Sequence, residues 1–200
     1  KISFPAGFHA QRAAECAMQI HAQMLKSGRK AEDIRQVRIR PHEAAIRIID
    51  KQGPLNNPAD RDHCIQYMTA IGLLKGNLTA ADYEDSVAND PRVDALRDKM
   101  VCVENKKWSN DYLDPSKRSI ANAVQVFFKD GSKSENVAVE YPIGHRRRRK
   151  DGVPLLEAKF KTNLARRFAA KQQAAILDLC RDQGRLENTP VHEFVDLFVI

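Results

Sequence analysis

The spacing of apolar residues changes character near Gly152: before it helical and strand periods alternate between Pro and Gly stops, and beyond it only helical spacing remains. Such a chain cannot be all-β, and its strands are confined to one portion. From His9 to Lys26, Ala13, Ala17, Ile20 and Met24 recur at helical spacing with Gln11, Gln19 and Gln23 off that stripe, and Gly28 stops the run. From Ile34 to Arg40, Val37 and Ile39 alternate with Arg38 and Arg40, the period of a half-buried strand, which Pro41 ends. The segment HEAAIRIID then returns to helical spacing.

Asn57 is placed to cap a helix with Pro58 at its first position, running to about Lys75. Thr79 caps a short helix, and Asp90 with Pro91 opens another that ends near Lys99. Val101 and Val103 suggest a strand, and Trp108 to Ser119 reads as irregular. Ala121 to Lys129, Asp130-Gly131 and Val137 to Tyr141 read as a hairpin. Three helical runs follow, Pro154 to Phe168, Ala170 to Asp182 and Pro190 to Val199. The expected fold class is α+β: a small mixed helix and antiparallel-sheet domain over 1–152, then C-terminal helices over 153–200.

With 42% apolar and 30% charged residues the chain can supply a core. No apolar stretch approaches the roughly 20 residues that span a bilayer, and no signal-peptide pattern opens the chain, so a soluble protein is expected. Cys16, Cys64, Cys102 and Cys180 lie far apart with no C-x-x-C pair, which reads as four reduced core thiols and argues against a zinc site or an iron-sulfur cluster. A formal charge of +7 admits nucleic acid, a membrane surface or acidic metabolites as partners and does not choose among them. P-loop, dinucleotide, G-x-S-x-G and H-E-x-x-H motifs do not occur, which weighs against nucleotide cofactors and zinc.

Three segments could carry chemistry, and each has a plain structural reading beside the functional one. KISFPAGFHA sets Lys1 and His9 on either side of a Pro-Gly loop that leads into a helix, where a cation, an imidazole and free backbone N–H groups could meet an anion. The alternative is an exposed Lys and a capping His. NNPADRDHCIQY puts Arg61, His63 and Tyr67 near one helix start, with His63 and Tyr67 four apart on one face, which suits a carboxylate substrate that needs both fixing and proton transfer. Alternatively, Asp60 and Asp62 pair with Arg61 while Tyr67 packs in the core. GHRRRRK, from Gly144 to Lys150, reads as a solvated charge run, a nucleic-acid patch, or an anion or domain contact. No aromatic residue interleaves the arginines, as single-strand binders tend to show. His21, His42 and His192 read as isolated helix histidines.

Taken with HEAAIRIIDKQGPLNNPADRDHCIQY, RSIANAVQVFF, VEYPIGHRRRR and VHEFVDL, these segments resemble the C-terminal region of the MmgE/PrpD family over essentially the whole chain. The resemblance implies a large helical domain, built mostly from residues outside this chain, and an α+β lid domain, with the site in the cleft between them. Residues 1–152 would form the lid, and the helices of 153–200 would return to the helical domain of the same protein. It further implies cofactor-free removal of water from a small tricarboxylate, 2-methylcitrate, giving 2-methyl-cis-aconitate in propionate breakdown. No metal is implied, and the 200 residues alone would be inactive. The family's site Lys, before the Pro-containing loop, and its site His, after it, map to Lys1 and His9, and Tyr67 matches a third site position; Arg61, His63 and His145 are added on chemical grounds as carboxylate binders. The expected setting is cytoplasmic, with no nucleic-acid or membrane partner and with a homodimer admitted. The rival readings are a decarboxylase or isomerase of a related tricarboxylate on the same scaffold, and a non-catalytic nucleic-acid-binding module using Arg146 to Arg149.

Overall fold

Helix α1 (Gln11–Lys26) carries the expected stripe: Ala13, Ala17, Ile20 and Met24 are all buried. Its first turns depart from expectation, because Arg12, Glu15 and also Gln11, read as lying off the stripe, are buried. The Gln11 amide donates to the Ala6 carbonyl at 3.3 Å. The computed structural model describes residues 4–200, which form two units, 4–148 and 149–200.

Strand β1 (Ile34–Arg40) buries Ile34, Val37 and Ile39, and Pro41 leads into α2 (Glu43–Ile49). Instead of one helix from Pro58 to about Lys75 there are two, α3 (Pro58–Asp62) and α4 (Ile65–Lys75). Asn57 caps the first, its Oδ1 accepting the Asp60 N–H at 2.9 Å. The break falls at His63 and Cys64, whose φ, ψ pairs of −112°, 23° and −120°, 111° leave the helical region. A physical reason is visible in the partners: Arg61 and Tyr67 both reach the 3-10 turn Ala80–Tyr83. On a straight helix, residues six apart point about 120° away from each other, so the break lets both face one target. It also separates His63, which is exposed, from Tyr67, which is buried, so the two do not share a helix face.

Asp82 completes the capping of that turn, its carboxylate accepting from the Thr79 N–H and hydroxyl. Helices α5 (Asp85–Ala88) and α6 (Pro91–Arg97) lead to strand β2 (Met100–Cys102). The segment expected to be irregular from Trp108 is helical in its first half, as part of α7 (Lys106–Leu113), because Asn105, not read as a cap, accepts the Trp108 N–H at 3.3 Å. Strands β3 (Asn122–Phe128) and β4 (Val137–Val139) form the hairpin that Asp130-Gly131 announces, with Gly131 at φ +85°.

The sheet order is β2-β1-β3-β4. It is mixed, since β2 runs parallel to β1 with Val37 opposite Met100, while the other two pairings are antiparallel. Helix α1 packs on β3, β4 and α4 and so lies between the sheet and α4. A Cβ at Gly72 would come within 2.8 Å of the Ala17 Cβ, which explains the glycine at that crossing.

The second unit is helical: α8 (Arg149–Ala165), α9 (Ala170–Arg181), α10 (Gln183–Asn188) and α11 (Val191–Asp196). Leu164, Ile176 and Leu177 form its core, with Phe160, Phe168 and Phe198 packed on them. The first of these helices starts within the arginine run, ahead of Pro154. No helix among the described residues is long and apolar enough to cross a membrane.

Candidate active site

The Pro-Gly loop delivers His9 just ahead of α1, and its ring meets another imidazole there. His9 Nδ1 lies 3.0 Å from His42 Nε2. His42 stands at the N-cap of α2, directly after the strand that ends at Arg40, and is fully buried. Tyr112 of α7 stacks on His42, with centroids 4.6 Å apart and planes at 25°, and its ring centre is 5.9 Å from that of His9. Three elements distant in sequence thus converge on one pair of rings. Tyr112 also lines an open groove of about 830 Å³ between α2 and α7, whose walls include Arg47, Lys106 and Glu104.

Burial lowers the pKa of both rings and so favours the neutral pair. Burial pushes the His42 pKa down to about 4, with the His9 ring and the Arg12 charge acting in the same direction and the Ala121 backbone opposing them. Burial and then Arg12 lower His9 as well. Arg12 itself is fully buried; its Nε donates to the Ile120 carbonyl at 2.6 Å and its guanidinium lies 5.1 Å from the centre of the Phe8 ring. Its two terminal nitrogens have no hydrogen-bond partner among the described residues, and neither does the buried Ser119 hydroxyl nearby in sequence to Ile120. At the start of α1 the Ala13 N–H is already taken by Asn122 Oδ1 at 3.1 Å, so this helix end is partly capped from β3.

Sequence reasoning anticipated His9 at a helix start. Lys1 lies outside the described residues. His42 was read as an isolated histidine, and Tyr112 and Arg12 were not singled out; only the Pro41-His42 corner, ending a strand at a helix start, hinted that His42 is held rigidly.

Arg61 and Tyr67 come together in a second cluster. Arg61 is buried, donating from Nη1 to the Tyr83 carbonyl at 2.6 Å and pairing through Nη2 with Asp85 at 2.6 Å. The Tyr67 hydroxyl donates to the Asp82 carbonyl, and burial raises its pKa to about 12. Tyr83 in turn donates to the Pro5 carbonyl at 2.6 Å, and a Cβ at Gly7 would sit 2.7 Å from the Asp62 carbonyl oxygen. This cluster therefore buttresses the loop that carries His9. His63 is exposed and paired with Asp62, with the Ala59 carbonyl 3.2 Å from Nδ1. Asp60 pairs with Lys51 rather than with Arg61.

The basic segment is tied into the fold. His145 stacks on Tyr141 at 4.5 Å, and its Nδ1 accepts the Arg147 N–H at 3.2 Å. Arg147 reaches the Tyr141 hydroxyl at 2.7 Å and the Ser116 carbonyl at 3.1 Å, and Arg148 reaches Glu15 of α1 at 2.9 Å. All four cysteines are free thiols, but only Cys16 and Cys64 are core residues as expected; Cys102, at the end of the edge strand β2, and Cys180 are partly exposed.

Residues 4–183 match the MmgE/PrpD C-terminal domain. Over 200 residues the chain is 62% identical to proteins named 2-methylcitrate dehydratase from Salmonella typhimurium and Escherichia coli, all of it aligning with 41% of their length. It is 52% identical over 199 residues to the mitochondrial 2-methylcitrate dehydratase of Yarrowia lipolytica, covering 38% of that protein. The chain spans about two fifths of the length of these curated relatives. On the strength of the domain match, which takes in the His9 loop and both clusters, the chain belongs to the MmgE/PrpD family.

Proposed function

We propose that this chain is the lid-side part of a cofactor-free 2-methylcitrate dehydratase. In this reading residues 1–152 form the lid, the helices of 153–200 pack on a helical domain of the same protein, and the substrate lies between. The reading extends to a cytoplasmic enzyme of propionate catabolism, acting in the methylcitrate cycle without nucleic-acid or membrane partners. The internal contacts of Arg147 and Arg148 support the absence of a nucleic-acid role.

The observation that carries the proposal is the His9–His42 pair at the start of α1, its imidazoles 3.0 Å apart and both lowered in pKa by burial, in a chain 62% identical to proteins of that name. Eliminating water from 2-methylcitrate requires a C–H proton beside a carboxylate to pass to a base as the C–O bond breaks. The electron pair forms the alkene, and the departing hydroxide takes a proton from an acid and leaves as water. A neutral His9 can accept the proton, and the Arg12 charge stabilises the negative charge that develops nearby. Lys1 and Tyr67 stay in the proposed catalytic set, and Arg61, His63 and His145 in the proposed carboxylate-binding set. The partners of Arg61 and Tyr67 within the fold support their acting by holding the loop to His9.

The test is turnover of 2-methylcitrate by the full-length protein, followed by the ultraviolet absorbance of the conjugated alkene and by product mass. A product lighter by one water is expected, with no turnover by the 200-residue chain alone. Carbon dioxide release, or an isomer of unchanged mass, would overturn the dehydratase reading in favour of another reaction on this scaffold.

A further inference from the structure

His42 has no part in the reaction as written, yet it is fully buried with a ring nitrogen 3.0 Å from His9 Nδ1. We infer that His42 is a positioning residue for His9: it places the His9 proton on Nδ1 and leaves Nε2 with the lone pair that the elimination uses. The inference rests on the reading of the chain as part of a water-eliminating enzyme.

Two imidazole nitrogens 3.0 Å apart share one proton, so one ring donates and the other accepts. Which ring donates follows from the surroundings. The Ala121 backbone favours a proton on the His42 ring, and since Nε2 is turned to His9, the nitrogen left to carry it is Nδ1, which has no hydrogen-bond partner of its own among the described residues. A proton on His42 Nδ1 leaves its Nε2 bare, and that nitrogen then accepts from His9 Nδ1–H. Burial and the Arg12 charge disfavour a second proton on either ring, so one proton, not two, lies between the facing nitrogens. His42 is fit to impose a tautomer because it barely has room to turn: it is fully buried, fixed at a strand-to-helix corner and stacked on Tyr112. The logic is that of a base oriented by a third group.

A purely structural His42 would fill the same corner, and two substitutions separate the roles. His42→Phe keeps the ring volume and the Tyr112 stack and removes the nitrogen. His42→Gln puts an amide where Nε2 stood and can still accept from His9. In the full-length enzyme, His42→Phe is expected to lower kcat about 10- to 100-fold with KM for 2-methylcitrate little changed, and His42→Gln to recover most of that loss. In wild-type enzyme with 15N-labelled histidine, the His9 resonances should show an Nδ1–H tautomer that His42→Phe abolishes. Wild-type kcat in His42→Phe overturns the inference, as does a loss in both variants that simply tracks thermal stability. If His42→Phe does not fold, an Nε2–H tautomer for His9 in the wild type overturns it instead. A wild-type enzyme that leaves 2-methylcitrate untouched overturns the underlying reading, an outcome distinct from all of these.

Discussion

Arg148 holds the Glu15 carboxylate across 133 positions of sequence, its Nη1 lying 2.9 Å from Oε1 and 3.1 Å from Oε2. The same nitrogen donates to the Tyr141 carbonyl at 2.9 Å, so the segment after β4 is fastened to the first turns of α1. Glu15 is buried, and burial raises its pKa against the pull of Arg148. Removing the cation strands a buried carboxylate, so Arg148→Met is expected to destabilise by about 3 kcal/mol, and the double variant with Glu15→Gln by less. Urea denaturation measures both; a single-variant loss below about 0.5 kcal/mol would place the pair with ordinary surface pairs.

The crossing of α1 and α4 leaves no room at Gly72. An added Cβ would lie 2.8 Å from the Ala17 Cβ and 3.2 Å from the Ala14 carbonyl oxygen. Alanine favours a helix interior over glycine by about 1 kcal/mol. The overlap should outweigh that gain, and Gly72→Ala is expected to lose about 1–3 kcal/mol, read as a lower thermal midpoint. A variant as stable as the wild type would mean that the two helices part easily here.

The elements that were legible in the sequence are those whose signals are local. The strand from Ile34 to Arg40 lies within its alternating period and the Pro41 stop, and the Asp130-Gly131 hairpin needs only the positive φ that Gly131 supplies. The break at His63 and Cys64 was not legible, because neither residue breaks helices by itself; the break lets Arg61 and Tyr67 face one distant turn. The site divides in the same way. His9 could be found from its helix start, but its partner His42 lies 33 residues away, and no spacing rule links a loop histidine to one at the end of a strand.

Tyr67 tests whether the second cluster serves catalysis. Tyr67→Phe removes the hydroxyl that donates to the Asp82 carbonyl and leaves that buried acceptor short of a partner. A loss of about 1 kcal/mol in stability is expected, with the fold retained. Turnover of the full-length enzyme should fall by more than that loss explains, since the same turn anchors the His9 loop through Tyr83 and Pro5. Unchanged kcat and KM would remove Tyr67 from the catalytic set.

Acid should weaken the fold through His42. Its pKa falls from an ordinary 6.5 to about 4 on folding, chiefly through burial. Between those values the unfolded chain binds a proton that the folded chain does not, so stability drops as pH falls through this window. The contribution is complete above 6.5 and gone below about 4. His9, also lowered, adds to the same slope, whereas Glu15, raised by burial, works against it. Only the His42 part disappears in His42→Gln, which does not titrate. The wild type should therefore lose more stability than His42→Gln between about pH 7 and about pH 5, measured by urea midpoints at each pH. Parallel losses in the two proteins would show that His42 takes up its proton as readily in the folded chain as in water, and that the pair with His9 is not held neutral.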